Sequence, residues 1–243
     1  MIISEKEWIS YRNKLSKINK KAEDEFVAWI ENRGGFEALD RTEVIDYAYA
    51  LSTKYGEASA SLSAVMYDET AALSGVTVAP AEVAETASYQ EVAKAINGAA
   101  KTSTNSNYLG GVVNQLVKQT GADTTLKNAK RDGAEFAWIP AGETCAFCLS
   151  IAANGWKKAS TKTITHTDHI HNNCDCAFAV RFDSSSNVKG YDPGKYQKMY
   201  KNADGKNSTE KLNSIRREQY SENKAEINAQ KRIAYAKRTE DES

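Results

Sequence analysis

The sequence predicts an α+β fold that is predominantly α-helical. Apolar residues recur at spacings of three and four over long stretches of positions 1–131, which is the pattern of amphipathic helices. Two short runs, EFAWIP at 135–140 and AFAVRF at 177–182, are instead typical of β-strands. After Gly190 the helical pattern returns. We therefore expect a helical N-terminal half, a small strand-containing module and a helical C-terminal tail.

The first predicted helix begins near Ser4 and ends at Gly34-Gly35. Ser4 and Glu7 have the spacing of a capping box, in which each side chain bonds the other residue's backbone amide. We interpret the apolar stripe of this helix as a face packed inside its own domain, with a coiled-coil seam as the alternative. The stripe consists of Trp8, Tyr11, Leu15, Ile18, Ala22, Phe26 and Trp29.

Further helices are predicted on both sides of the strand-containing module. A connector is expected at 80–88, and the loop TSTNSN at 102–107 supplies Ser and Asn residues that can cap the helix after it. The predicted helices cover about 41–55, 58–72, 89–100 and 108–131 before the strands, and a short segment after Pro193, 209–220 and 224–237 behind them.

The pattern changes at Asp132-Gly133, and this change divides the chain into three predicted parts. Residues 1–131 form a helical domain, 132–190 an α+β module, and 191–243 a C-terminal helical segment. The first strand is expected to stop at Pro140, because proline cannot donate a ladder hydrogen bond.

Composition excludes several classes of function. The 243 residues include 32 basic and 32 acidic side chains, so net charge offers no general argument for binding nucleic acid or membranes. The N-terminus MIISEKEWIS lacks the pattern of a signal peptide, and no window approaches the roughly 18 apolar residues of a membrane span. We expect a protein kept in a reducing cytosol, where cysteines serve as metal ligands or thiols rather than disulfides.

All four cysteines lie between the two predicted strands. They occur as Cys145-Ala-Phe-Cys148 and as Cys174-Asp-Cys176, and His171 precedes the second pair. Two cysteines separated by two residues can turn both thiolates toward one point, and zinc requires four such donors in a tetrahedron. The sequence predicts one zinc ion per chain that cross-links the small α+β module. Its ligands would be Cys145, Cys148, Cys174 and either His171 or Cys176.

The chain offers five good donors for four positions around the metal. Cys174 and Cys176 could both bind from one side of a strand, or His171 and Cys174 could form the second pair. We interpret His166 and His169 as outer-shell or surface residues. Because donors are in surplus and a catalytic zinc keeps one position open, the pattern favours a closed structural site.

No enzyme motif is complete in this chain. Pro140 with the Cys145 pair is similar to half of the zinc deaminase motif, but the upstream His-x-Glu is absent. The run Asp168-His169-Ile170 is similar to part of the HNH nuclease motif, yet Cys174 follows too soon for the Asn-bearing loop and helix. We predict no enzymatic activity, and an HNH-like metal-dependent nuclease using His169 is the alternative.

Several segments resemble the minor capsid, or minor head, proteins of tailed bacteriophages, which are related to the Mu F-like head morphogenesis family. The similar segments are DYAYALSTKYGEASASLSAVMYDE, DTTLKNAKRDGAEFAWIPAGETCAFC, LSIAANGW, HIHNNCDCAFAVRF, VKGYDPGKY and the tail SIRREQY with INAQKRIAYAKR. The resemblance covers nearly the whole chain, and the pattern CxxC…HxxCxC is its most specific element.

The resemblance implies a structural virion protein with no established enzymatic reaction. Such proteins are made in the bacterial cytoplasm and built into the capsid interior or the portal vertex in a few copies. The expected partners are the portal protein, other capsid components and, as a further candidate, packaged DNA; no membrane partner is expected. An internal DNA-binding role would use basic residues of the tail: Arg216, Arg217, Lys231, Arg232, Lys237 and Arg238.

Overall fold

The computed structural model of the chain describes residues 4–141, 145–164 and 174–241, with side chains in the last helix described up to 225 and at 228, 229 and 232. Within these residues the fold is predominantly helical with one small sheet, which confirms the predicted fold class. The helices are α1 (Glu5–Glu31), α2 (Arg41–Leu73), α3 (Tyr89–Ala100), α4 (Ser106–Asp132), α5 (Ala146–Ala152), α6 (Thr161–Ile164), α7 (Pro193–Asn202) and α8 (Ser208–Asp241), with a 3₁₀-helix at Phe36–Ala38. The strands are β1 (Glu135–Ile139), β2 (Lys157–Lys158) and β3 (Ala177–Arg181).

The chain divides into two compact units. Unit 1 comprises Met1–Ala141 and Trp156–Tyr191, and it contains the four long N-terminal helices and the sheet. Unit 2 comprises Gly142–Gly155 and Asp192–Ser243, and it contains α5, α7 and α8.

Helix α1 begins at the predicted capping box. The Ser4 hydroxyl accepts a hydrogen bond from the Glu7 amide, and the Glu7 carboxylate accepts one from the Ser4 amide at 3.0 Å. The predicted stripe faces the interior: Trp8, Tyr11, Ala22 and Phe26 are buried, and Leu15, Ile18 and Trp29 are partly buried. Burial within unit 1 therefore accounts for most of this face.

Helix α2 differs from the prediction of two separate helices in this region. Residues 41–55 and 58–72 belong to one continuous helix, Arg41–Leu73, rather than to two. Gly56 does not break it, because the glycine serves close packing: a Cβ there would lie 2.9 Å from the Thr86 methyl group and 3.1 Å from the Thr120 hydroxyl. Helix α3 has the predicted bounds, and Asn105 caps α4 as expected by accepting a hydrogen bond from the Tyr108 amide.

The core of unit 1 lies among α1, α2, α3 and α4. Phe26, Ile30, Val44, Ile96 and Val113 are fully buried in one apolar cluster. On α4, Val117 is buried, whereas Val112 and Leu116 are partly buried at the edge of the cluster. These helices form the scaffold against which the sheet packs.

The sheet has the order β2-β1-β3, and both neighbours of β1 run antiparallel to it. Both predicted strands are confirmed, whereas the two-residue strand β2 was not predicted. Trp138 lies opposite Phe178 in the register, and their rings meet edge to face with centroids 4.6 Å apart. Both side chains are buried, whereas Phe147 and Trp156 are only partly buried.

Unit 2 is built around a small apolar cluster. Ala146 and Leu149 of α5 and Ile215 of α8 are buried in it. Tyr196, Tyr200, Ala203 and Leu212 pack against them. Helix α5 was not predicted. Residues 209–220 and 224–237 form one helix rather than two, because the residues between them include no glycine or proline to end it.

Candidate metal centre

The first cysteine pair forms a tight turn at the start of α5. Cys145 is extended and occupies the N-cap position, where its Sγ accepts a hydrogen bond from the Cys148 amide at 3.4 Å. A serine or aspartate oxygen usually fills this role, so the thiol takes the place of an ordinary capping group. Cys145 is exposed and Cys148 is fully buried. The chain therefore turns at the Cys-x-x-Cys motif, and the convergence of its two thiolates on one metal stays a prediction.

The second cysteine pair lies in unit 1, directly before β3. Cys176 is buried, and its Sγ accepts a hydrogen bond from the Ala141 amide at 3.5 Å. The strand pairing explains this contact, because Ile139 at the end of β1 lies opposite Ala177 at the start of β3. Cys174 is partly buried and faces α4.

Lys118 of α4 contacts Cys174 directly. Its ammonium lies 2.8 Å from the Cys174 Sγ and 2.6 Å from the Cys174 carbonyl oxygen. Lys118 is buried, and its Nζ lies 5.3 Å from the centre of the Trp138 ring. The sequence analysis did not identify Lys118. No local pattern marked it, because Lys118 and its partner Cys174 lie 56 residues apart in the chain.

A small cavity in unit 1 adjoins Lys118 and the second cysteine pair. It is lined by α1, α4 and residues 174–178, and its volume of about 20 Å³ is space for one water molecule. Four buried polar atoms on residues that line it have no hydrogen-bond partner among the described residues. They are Arg12 Nε, Asn19 Oδ1, Ser59 Oγ and Trp138 Nε1. The cavity suits an ordered water rather than an organic ligand.

Tyr11 also lines this cavity, where its hydroxyl lies 3.1 Å from the Ser63 hydroxyl. Burial raises the pKa of Tyr11 to about 12, and the hydrogen bonds with Ser63 and Thr125 lower it by less. Tyr11 is therefore a neutral hydrogen-bonding group near pH 7, and it offers neither a base nor an anionic metal ligand.

The cysteine chemistry suits a metal ion that prefers thiolate ligands. Cys148, Cys174 and Cys176 each offer a thiol that a metal ion could take as a ligand, and no disulfide links any of the four cysteines. The sulfurs of Cys145, Cys174 and Cys176 each accept a hydrogen bond from an amide or an ammonium group. Such donors stabilise a thiolate, the form in which cysteine binds metals.

The three histidines of the protein lie outside the described residues. These are His166, His169 and His171, in the segment 165–173. The structure therefore places four of the five predicted zinc ligands, and the assignment of His171 stays a prediction.

A family model of the VG15 proteins matches residues 2–203, which is most of the chain. The chain belongs to the VG15 protein family. VG15 proteins are phage proteins, so this chain is a phage protein. No curated protein and no solved structure matches the chain. The matched region includes all the cysteines and ends before α8.

No helix in the described part of this VG15 protein is long and apolar enough to cross a membrane.

Proposed function

We propose that this VG15 protein is a structural minor capsid protein of a tailed bacteriophage, and that it acts in head morphogenesis at or near the portal. It holds one structural zinc ion through Cys145, Cys148, Cys174 and either His171 or Cys176. The observation that carries the zinc assignment is the set of hydrogen bonds donated to three cysteine sulfurs. Family membership and the resemblance of the sequence to minor head proteins support the role in the phage particle.

The donor set favours a structural zinc over a catalytic one. Protein donors exceed the four positions of a tetrahedral zinc, so no position is left for a water or a substrate. Cys148 and Cys176 are both buried, which suits a closed site. The zinc would contribute folding free energy, and the chain would have no enzymatic reaction.

Metal analysis of the purified full-length protein tests the site. We expect one zinc per chain, and we expect Cys145→Ser to lose it. His171→Ala and Cys176→Ser should differ, because only one of these residues completes the tetrahedron. Val65→Ala, at an exposed position of α2, is the matched control and should retain the zinc. A chain with no metal, or with two metals, would contradict the closed site.

The virion role is tested in a phage whose copy of this gene carries a nonsense mutation. Wild-type protein and Val65→Ala supplied from a plasmid should restore normal heads in electron micrographs, whereas Cys145→Ser should not. Mass spectrometry of purified particles should detect the chain in a few copies together with the portal protein. Normal heads without the protein, or particles that lack it, would rule out this function.

DNA binding is a second candidate because Arg216 and Arg217 are exposed on α8. Binding through phosphates releases counterions, so affinity should fall steeply between low and moderate salt. The double variant Arg216→Gln/Arg217→Gln should reduce that salt dependence. Affinity that does not change with salt would exclude this role. A nuclease that uses His169 would instead cleave DNA, and His169→Ala would abolish the cleavage.

A further inference from the structure

Lys118 carries a positive charge into the interior of unit 1. The residue is only 7% exposed on α4, the helix that packs against both α1 and α2. Burying an ammonium group is costly unless an opposite charge or strong hydrogen bonds compensate for it. The residues that surround Lys118 must therefore supply this compensation.

No carboxylate among the described residues forms an ion pair with Lys118. Its described contacts are the Cys174 carbonyl oxygen, the Cys174 Sγ and the face of the Trp138 ring. The carbonyl and the ring are neutral. Of these three groups, the sulfur is the one that can carry a full negative charge.

We propose that Lys118 is a positioning residue of the metal centre, whose ammonium holds the Cys174 thiolate in place and offsets the negative charge of the zinc–thiolate group. The inference rests on the proposed zinc site. Zinc bound by three or four thiolates carries a net negative charge, and a nearby ammonium lowers the electrostatic cost of burying that charge. The second bond of Lys118, to the Cys174 carbonyl, fixes the backbone from which this thiolate projects.

Two measurable consequences follow for the metal. Groups that hydrogen-bond metal ligands typically change metal affinity on the order of 10–100-fold when they are removed, so Lys118→Met should weaken zinc binding by that amount. A charge-assisted hydrogen bond also withdraws electron density from the sulfur. Loss of Lys118 should therefore increase the rate at which an alkylating reagent attacks the thiolate and releases zinc.

The experiment uses the full-length zinc-loaded protein and a competing chelator. We expect weaker zinc binding for Lys118→Met and a return to within a few-fold of wild type for Lys118→Arg, which retains the positive charge and the N–H donors. Asn114→Leu is the matched control. Asn114 is also buried on α4, one turn earlier, and it donates to Glu23 at 2.9 Å rather than to a cysteine. It should destabilise unit 1 without changing zinc affinity.

A spectroscopic measurement separates a role at the metal from a role in folding. With cobalt in place of zinc, Lys118→Met should shift the thiolate-to-cobalt charge-transfer band, and Asn114→Leu should leave it unchanged. If Lys118→Met does not fold, Lys118→Gln replaces it, since glutamine keeps a donor and removes the charge.

Each outcome addresses one proposal. Wild-type protein that binds no zinc would overturn the proposed metal site itself. Wild-type protein that binds zinc, with unchanged affinity and band position in Lys118→Met, would overturn the inference about Lys118 and leave the metal site intact.

Discussion

The two compact units differ in the size of their apolar cores. Fourteen buried residues of α1 to α4 and the adjoining 3₁₀-helix form one cluster in the described part of unit 1, among them Phe26, Ile30 and Val44. In the described part of unit 2 the corresponding cluster has three buried residues, Ala146, Leu149 and Ile215. Four partly buried side chains, two of them tyrosines, complete it.

This difference indicates two sources of stability. Burial of apolar surface contributes about 25 cal/mol per Å², so the large cluster can hold unit 1 together without further help. A cluster as small as that of unit 2 rarely suffices, and small folds commonly add a metal or a disulfide. Because no disulfide is present, we expect unit 2 to depend on the proposed zinc more than unit 1 does.

Zinc removal should produce the largest effect and the clearest contrast between the units. Structural zinc sites contribute roughly 10–16 kcal/mol of apparent binding free energy near pH 7. We expect a strong chelator to abolish amide protection in α5, α7 and α8 while the middle of α1 and α4 stays protected. Hydrogen exchange followed by mass spectrometry measures the amide protection of each helix. Equal loss of protection in both units would refute the contrast.

Truncation of Phe26 should destabilise unit 1 without removing the proposed zinc. Phe26 is fully buried in the unit 1 cluster, so Phe26→Ala leaves a cavity and should reduce the free energy of unfolding by about 3–5 kcal/mol. Urea denaturation followed by tryptophan fluorescence measures the change. Ile9→Ala, on the exposed side of α1, is the control and should have little effect. Zinc content should stay at the wild-type value in both variants, and its loss would argue against independent sources of stability.

Close helix packing in unit 1 is tested by a pair of glycine substitutions. A Cβ at Gly121 of α4 would clash with the Ser59 hydroxyl, whereas a Cβ at Gly98 of α3 would meet no atom within 4 Å among the described residues outside its own helix. Gly121→Ala should therefore destabilise the protein by about 1–3 kcal/mol through overpacking. Gly98→Ala should stabilise it by roughly 0.5–1 kcal/mol, because alanine favours the helix. Thermal unfolding of the two variants should show shifts of opposite sign.

A further local effect concerns the cap at the start of α3. The Ser88 hydroxyl accepts a bond from the Glu91 amide, and the Ser88 amide donates to the Glu91 carboxylate at 2.8 Å. Ser88→Ala removes the hydroxyl cap and should cost about 1 kcal/mol of unfolding free energy.

The Ser88 hydroxyl also donates to the Glu91 carboxylate at 2.7 Å, and this bond, followed by the one from the Ser88 amide, lowers the pKa of Glu91. This contribution to stability is present above the ordinary value of 4.5 and is lost as the pH falls through the lower folded-state pKa. Urea titrations between neutral and acidic pH should show a smaller loss in Ser88→Ala than in wild type. A parallel loss in both proteins would exclude this linkage.

Local signals predicted most of the fold. The capping box at Ser4 and the Asn105 cap lie within a few residues of the amides they bind, so their motifs are visible in the sequence. The predicted break near Gly56 was wrong, because a glycine inside a helix can also serve close packing. Local propensity treats it as a helix breaker, whereas here it allows close approach to Thr86 and Thr120, which are distant in sequence.

The candidate site was predicted less completely. The spacing of Cys145 and Cys148 predicted a turn that the structure confirms, because three residues suffice to form it. Lys118 was missed because its partner Cys174 lies 56 residues later in the chain. No periodicity in α4 indicates which side chain will meet the residues before β3.

The sequence by itself determined most of the helical segments, the caps at Ser4 and Asn105, two strands and the identity of the thiol donors. Each of these depends on residues within one or two turns of one another, where backbone propensity and spacing control the outcome. Only the tertiary structure decided that Lys118 contacts Cys174, that the Ala141 amide donates to Cys176, and that α5 packs with α7 and α8. These contacts join segments far apart in the chain, so they depend on how helices and strands pack against one another rather than on any local pattern.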